Sequence, residues 1–172
     1  MTLSRQMIFK MLRYLLLLVI VGTIAFIFGN SMLPPEKSTE QSEAVKDIIV
    51  EILPDDTAAE NFVEEYIRKI AHFTEYGLLG IEIAIYLMVF TKRKAKVLAL
   101  AILTPLFVGF IDETIQRFTE RGPSIDDVWI DIGGFVLFYL ITVAAFFVGI
   151  IAVKKIKETI NNKNYGKEEE NG

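Results

Sequence analysis

The chain has 172 residues, of which 52% are hydrophobic, and its formal net charge is −4. Because segments 31–69 and 154–172 are polar, the rest of the chain is too apolar for a water-soluble domain to be expected. The acidic balance gives no support for nucleic-acid binding. The absence of cysteine excludes disulfides and thiolate metal sites, and the single histidine, His72, excludes sites built on several histidines of one chain.

Four segments are apolar enough to be interpreted as membrane-spanning helices, which need about 20 mostly apolar residues. They cover residues 14–28, 73–90, 97–111 and 128–153. Such helices also occur in the cores of soluble proteins, but this chain has only one polar stretch long enough to cover them, which favours the bilayer. We predict an all-α membrane protein with four transmembrane helices, forming one membrane domain over residues 1–153.

Lysine and arginine are concentrated on one side of the predicted spans. Basic clusters lie in 5–13, 92–96 and 154–157, whereas 31–71 contains ten acidic and four basic residues. Because short loops rich in Lys and Arg stay cytoplasmic, we predict a multi-pass protein of the bacterial cell membrane with both termini inside. The first span also fits a signal peptide, with a cleavage site at the small residues around 29–31, although we favour an anchor.

The predicted extracytoplasmic loop, residues 30–70, contains a further helical pattern. Apolar residues recur at helical spacing through 44–53, with charged residues on the opposite face. The pattern predicts an amphipathic helix that either lies on the outer leaflet or packs on the bundle as a lid. The tail, residues 154–172, is charged and poor in apolar residues, so we expect it to be cytoplasmic and disordered.

Charged side chains at membrane depth cost roughly 2.5–3.5 kcal/mol each on insertion scales, so each one requires a reason. On the second span, His72 and Glu75 are one helical turn apart, and Glu82 returns to nearly the same face about two turns further along. Two carboxyl groups on one stripe are expected to face protein or water rather than lipid. By its spacing alone, His72 fits an interfacial histidine bonded to backbone equally well.

The third span ends and the fourth span begins with further acidic residues. The predicted topology places both of these ends on the outer side, with His72 and Glu75. Asp112 and Gln116 share a face at the end of the third span. Such a pair is also commonly explained as solvated charge at the membrane interface, with no role in a site. Asp127, Asp131 and Gly134 follow one stripe at the start of the fourth. Gly134 would allow a neighbouring helix to approach this stripe closely.

Together these residues predict a carboxylate-rich pocket at the outer membrane face. Its carboxylates could share a proton and serve acid–base catalysis, or hold a hard divalent cation such as Mg²⁺ or Ca²⁺. Alternatively, they pair with Lys69, Arg117 and Arg121 and only hold the helices in register. The sequence leaves these alternatives and the oligomeric state open.

Three motifs, in their order and spacing, resemble the VanZ-like family over approximately residues 67–138. The motif residues are Lys69, His72, Phe73, Glu75, Tyr76 and Leu78; Asp112, Glu113, Gln116 and Phe118; and Arg121, Ser124, Asp127, Asp131 and Gly134. The resemblance implies a small bacterial cell-envelope membrane protein, of a kind linked to reduced susceptibility to the antibiotic teicoplanin.

Three hypotheses for the function follow. One is a non-enzymatic factor whose pocket binds a membrane lipid, a cell-wall precursor or the drug. Another is a purely structural helical bundle. The remaining hypothesis is an enzyme acting on a lipid-linked envelope substrate, although the sequence has no Gly-rich phosphate loop, HExxH zinc motif or nucleophile elbow. The catalytic residues of such an enzyme would be His72, Glu75, Asp112 and Glu113. The residues predicted to bind ligand are Lys69, Tyr76, Gln116, Arg121, Ser124, Asp127 and Asp131.

Overall fold

The computed structural model describes residues 4–33, 57–92, 94–119 and 125–170, and these ranges contain α-helices and no strand. The helices are α1 (Arg5–Ser31), α2 (Thr57–Phe90), α3 (Lys94–Phe118) and α4 (Ile125–Glu170). Each contains a stretch long and apolar enough to cross a membrane. The prediction of an all-α protein with four candidate membrane spans is confirmed, whereas the amphipathic helix predicted over 44–53 lies outside the described residues.

Large apolar side chains cover the outside of the helices. Leu18 is 68% exposed, Phe110 70% and Trp129 68%. Contact of so much apolar surface with water would be unfavourable by about 25 cal/mol per Å², whereas lipid removes this penalty. The apolar core between the helices is small by comparison and contains Ile20, Ile27, Tyr76, Leu79, Ile83, Leu87, Val108 and Phe135.

Polar contacts at both ends fix α1 antiparallel to α2. Near the start of α1, the guanidinium of Arg13 donates to the Tyr86 hydroxyl, with N···O distances of 3.3 and 3.2 Å. Near the end of α1, the Asn30 side-chain amide donates to Oε1 of Glu75 at 2.7 Å. The first helix is therefore joined to the second along most of its length.

The helices alternate in direction, so that α1 and α3 end where the spans of α2 and α4 begin. The Thr119 hydroxyl, just after α3, donates to the backbone carbonyl of Ser31, the last residue of α1, at 3.1 Å. We call this end of the bundle the carboxylate end, because it contains Glu75, Asp112, Glu113, Asp127 and Asp131.

Two glycines allow α2 and α4 to pack closely. A β-carbon on Gly80 would collide with the backbone carbonyl of Phe135, and one on Gly134 with the carbonyl of Phe73. Small residues at such crossings let two backbones approach, which increases van der Waals contact within the membrane. The structure therefore confirms the close-packing role predicted for Gly134.

Replacing Gly134 by Ala is expected to destabilise the protein by about 1–3 kcal/mol, because the added methyl group forces two packed backbones apart. Gly133 is the matched control, since a β-carbon there would have no described atom within 4 Å. The Gly133→Ala variant should be neutral or more stable by up to about 1 kcal/mol, because Ala favours the helix. Thermal unfolding in detergent compares the two, and equal stability changes would contradict the close packing.

The fourth helix extends well past its apolar part. Helix α4 continues to Glu170, far beyond the apolar stretch that ends near residue 153. Lys154 and Glu158 are four residues apart with an N···O distance of 3.9 Å, and the Thr159 hydroxyl donates to the Lys155 carbonyl. No proline interrupts the helix, and extending an existing helix avoids the unfavourable nucleation step. The described part of this tail continues α4, and its cytoplasmic location stays a prediction.

Candidate functional site

Three polar side chains from different helices reach the same level of the carboxylate end. His72 lies six residues after the start of its candidate span, Asp112 six residues before the end of its span, and Asp131 five residues after the start of its span. At 1.5 Å per residue, each lies about 8–9 Å from the terminus of its span at the carboxylate end. The alternation of helix directions brings these positions together although they are distant in the sequence.

These three residues form the centre of the site, which we call the His–Asp–Asp cluster. Nδ1 of His72 lies 3.5 Å from Oδ1 of Asp131 and 3.7 Å from Oδ2 of Asp112. One candidate ligand atom from each residue lies within 4.8 Å of the other two. The carboxylates are fully buried and the histidine is 7% exposed. Burying two carboxylates is unfavourable unless hydrogen bonds and positive charge compensate for the lost hydration.

Hydrogen bonding of the cluster is incomplete among the described residues. The Gln116 side-chain amide donates to Oδ2 of Asp112 at 3.1 Å. The histidine Nδ1 and the other three carboxylate oxygens are buried and make no hydrogen bond to any described residue. The Tyr76 hydroxyl lies beside Asp131 and the Ser31 hydroxyl beside Asp112, so each can donate to a carboxylate, although neither makes a hydrogen bond of ordinary geometry within the described residues. Since buried polar groups are nearly always hydrogen-bonded, the donors and acceptors that converge here are expected to pair closely with one another or with a bound group.

A second pair of charges lies nearer the helix ends. Arg68 Nη2 is 3.5 Å from Oδ2 of Asp127, whose side chain is 4% exposed. Arg68 is adjacent in the sequence to Lys69, the basic residue predicted to bind ligand. The Lys69 ammonium lies 6.0 Å from the centre of the Tyr66 ring. The two consecutive basic residues of α2 thus lie in different environments.

Helix α1 supplies hydrogen-bond donors to the two glutamates of α2. The Asn30 amide binds Glu75, and the Thr23 hydroxyl donates to Oε1 of Glu82 at 2.7 Å. Glu82 is 6% exposed, and its other carboxyl oxygen has no hydrogen-bond partner in the described part of the chain. The glutamate stripe therefore faces protein, as predicted, and it faces the first helix.

The Thr23→Val variant is expected to lose about 1–3 kcal/mol of stability, because Glu82 keeps its buried carboxyl group but loses its donor. In a Glu82→Leu background, the same Thr23→Val change should have almost no effect, since both polar partners are then absent. Thermal unfolding of the four proteins of this double-mutant cycle measures the coupling. Additive effects would show that the two side chains do not interact.

The structure places most of the predicted site residues at one end of the bundle and brings five of them into or beside the cluster. Those five are His72, Tyr76, Asp112, Gln116 and Asp131. Glu113 follows Asp112 and has one buried carboxylate oxygen without a hydrogen-bond partner among the described residues. Arg121 and Ser124 lie outside the described residues. The catalytic and binding roles of all these residues stay predictions.

Sequence reasoning missed the contributions of Arg68 and of α1. The polar residues of α1 were visible as interruptions of an apolar helix, but they were not assigned partners. Their spacing was informative: Thr23 and Asn30 are seven residues apart, as are Glu75 and Glu82. When two antiparallel helices carry polar residues at equal spacings, both polar contacts can form at once. The structure has this arrangement, with Thr23 bonded to Glu82 and Asn30 to Glu75.

The fold and the cluster define a class: a four-span helical membrane protein with a buried polar site at one end of the bundle. The VanZ/LLP1 family model matches residues 12–148, which is most of the chain and includes the whole cluster. The chain belongs to the VanZ/LLP1 family. No curated protein and no solved structure matches it.

Proposed function

We propose that this protein acts in the bacterial cell envelope by binding a membrane lipid, a lipid-linked cell-wall precursor or a glycopeptide at its carboxylate end. Binding there would lower susceptibility to teicoplanin-type antibiotics, the property that membership of the family suggests. The observation that supports the proposal is the buried His–Asp–Asp cluster, whose polar atoms are incompletely hydrogen-bonded. A bundle that uses polar side chains only for helix pairing is expected to satisfy them.

The proposal requires the carboxylate end to face outward. The basic residues Arg5, Lys10, Arg13, Lys92 and Lys96 lie at the opposite end, which the positive-inside rule assigns to the cytoplasm. A reporter active only in the periplasm, fused after Thr91 in a Gram-negative host, should therefore be inactive, whereas the same reporter fused after Ser31 should be active. The reverse pattern would contradict both the orientation and an outward-facing site.

The test of function compares a deletion strain, a strain complemented with the gene and a strain complemented with the Asp131→Asn variant. We expect lower teicoplanin susceptibility only with the wild-type gene. Mass spectrometry of lipids and wall precursors, in cells and bound to the purified protein, then identifies the ligand. Equal susceptibility of deletion and wild-type strains, with no lipid, precursor or drug bound, would contradict the proposal.

A second candidate function is an enzyme that modifies a lipid-linked envelope substrate. The position of His72 between two buried carboxylates favours it, because such an imidazole can transfer a proton in acid–base catalysis. Glu75 lies one helical turn after His72, and Glu113 directly follows Asp112, so both glutamates could contribute to such a reaction. A modified lipid species that appears only with the wild-type gene would indicate this enzyme, whereas unchanged pools with altered teicoplanin susceptibility indicate binding alone.

A further inference from the structure

We propose that the His–Asp–Asp cluster binds a divalent transition-metal ion, with Zn²⁺ the ion that its ligands favour. The ligands would be Nδ1 of His72 and one carboxylate oxygen each from Asp112 and Asp131. This inference uses the same cluster as the proposed function, but its test is separate, because it measures the metal content of the purified protein rather than an envelope ligand.

The distances within the cluster fit a shared cation better than direct hydrogen bonds. Nδ1 of His72 is 3.5 and 3.7 Å from the two carboxylate oxygens, whereas N–H···O hydrogen bonds are about 2.7–3.2 Å long. Ligand atoms around a tetrahedral zinc ion with bonds of about 2.0–2.1 Å are separated by roughly 3.4 Å. The observed separations therefore leave room for a metal ion with minor movement of the side chains.

The charge of the cluster also supports a bound divalent ion. Two carboxylates with a neutral imidazole carry a charge of −2 in a buried place, and a divalent ion neutralises it, whereas protonation of His72 leaves one negative charge uncompensated. Among the described residues, the ion pairs of Asp112 and Asp131 are with His72 alone, and Arg68 pairs with Asp127. A metal ion would also provide a partner for Nδ1 and for one oxygen of each carboxylate, atoms that lack a hydrogen bond within the described residues.

The ligand types select the class of metal. Mg²⁺ and Ca²⁺ prefer oxygen ligands throughout, whereas an imidazole with two carboxylates is a set that suits Zn²⁺ and is also compatible with Mn²⁺ or Fe²⁺. The Tyr76 and Ser31 hydroxyls beside the carboxylates supply further oxygen atoms at the edge of the site. Gln116 holds Asp112 through its Oδ2, which restricts the orientation of that carboxylate.

Metal analysis of the full-length protein tests this proposal. The protein is purified in detergent with an affinity tag that contains no histidine, and its metal content is measured by mass spectrometry. We expect about one transition-metal ion per chain in the wild type, as for a structural or catalytic site. The Asp131→Asn variant should lose the ion, and Gln116→Leu should weaken binding about 10- to 100-fold. The control is Glu82→Gln, which neutralises a buried carboxyl group outside the cluster and should retain the ion.

Thermal unfolding separates loss of the site from loss of the fold. Chelator should lower the Tm of the wild type and of Glu82→Gln, and Zn²⁺ or Mn²⁺ should restore it, because ligands that bind the folded state stabilise it. An Asp131→His variant, which retains a zinc ligand, should keep the response to Zn²⁺. Wild-type protein that holds no transition metal after addition of Zn²⁺ or Mn²⁺ and shows no change in Tm would overturn the proposal. Binding of Mg²⁺ alone, or unaltered metal binding by folded Asp131→Asn, would overturn it too.

Discussion

Replacing Asp112 by Asn should abolish the proposed protection against teicoplanin while the protein still accumulates in the membrane. The change keeps the size of the side chain and an oxygen that accepts from Gln116, but removes one of the two carboxylate charges of the cluster. A charge-assisted interaction contributes about 1.5–3 kcal/mol, so ligand affinity should fall by roughly 10- to 100-fold. The measurement is the teicoplanin susceptibility of complemented deletion strains, with protein abundance determined by immunoblot.

The matched control for this variant is Glu82→Gln. It also neutralises a buried carboxyl group, but Glu82 bonds to Thr23 rather than to the cluster. We expect it to protect as well as the wild type at equal abundance. Loss of abundance in Asp112→Asn together with full protection by the remaining protein would indicate a structural role for the carboxylate. Wild-type protection at normal abundance would exclude Asp112 from the binding site.

The membrane fold could be predicted because hydropathy and loop charge are local properties of the sequence. The convergence of His72, Asp112 and Asp131 was also accessible, since helices that alternate in direction bring the ends of spans to one side. What could not be predicted was the rotation of each helix about its axis. Arg68 and Lys69 are adjacent and differ in direction by about 100°, so the sequence did not show which of them approaches Asp127.

Packing of small residues settles the rotation of α2 and α4. Gly80 and Gly134 each lie against a backbone carbonyl of the other helix, which fixes the faces that meet. Phe73, the contact of Gly134, directly follows His72, so the same contact holds the imidazole near Asp131. Residues that appear in the sequence as packing devices thereby determine the geometry of the cluster.

The contribution of α1 was the largest omission, because its apolar composition also fits a signal peptide. In the structure, α1 supplies the donors for Glu75 and Glu82, and its last residue, Ser31, lies beside Asp112. Loss of α1 would leave both glutamates without these donors, within or near the membrane. The contacts therefore favour a helix that stays with the bundle.

Deletion of residues 1–31 is accordingly expected to prevent accumulation of the folded protein. The two hydrogen bonds from α1 to the half-buried Glu75 and the buried Glu82 contribute together up to about 3–6 kcal/mol, a large part of the roughly 5–15 kcal/mol that stabilises a typical folded protein. A tag placed before Met1 should remain on the mature protein in the membrane fraction. Release of the tag with normal accumulation of the remainder would show that α1 is a cleaved signal.

Supplying α1 as a separate peptide should partly restore the truncated protein, because transmembrane helices that insert independently can associate afterwards. The restoration should depend on Thr23 and Asn30, so a peptide carrying Thr23→Val and Asn30→Leu serves as the control. Both peptides retain the apolar length needed to span the membrane. Equal restoration by both would show that apolar packing alone binds α1 to the bundle, whereas restoration by the native peptide alone would demonstrate that its two polar side chains stabilise the glutamates of α2.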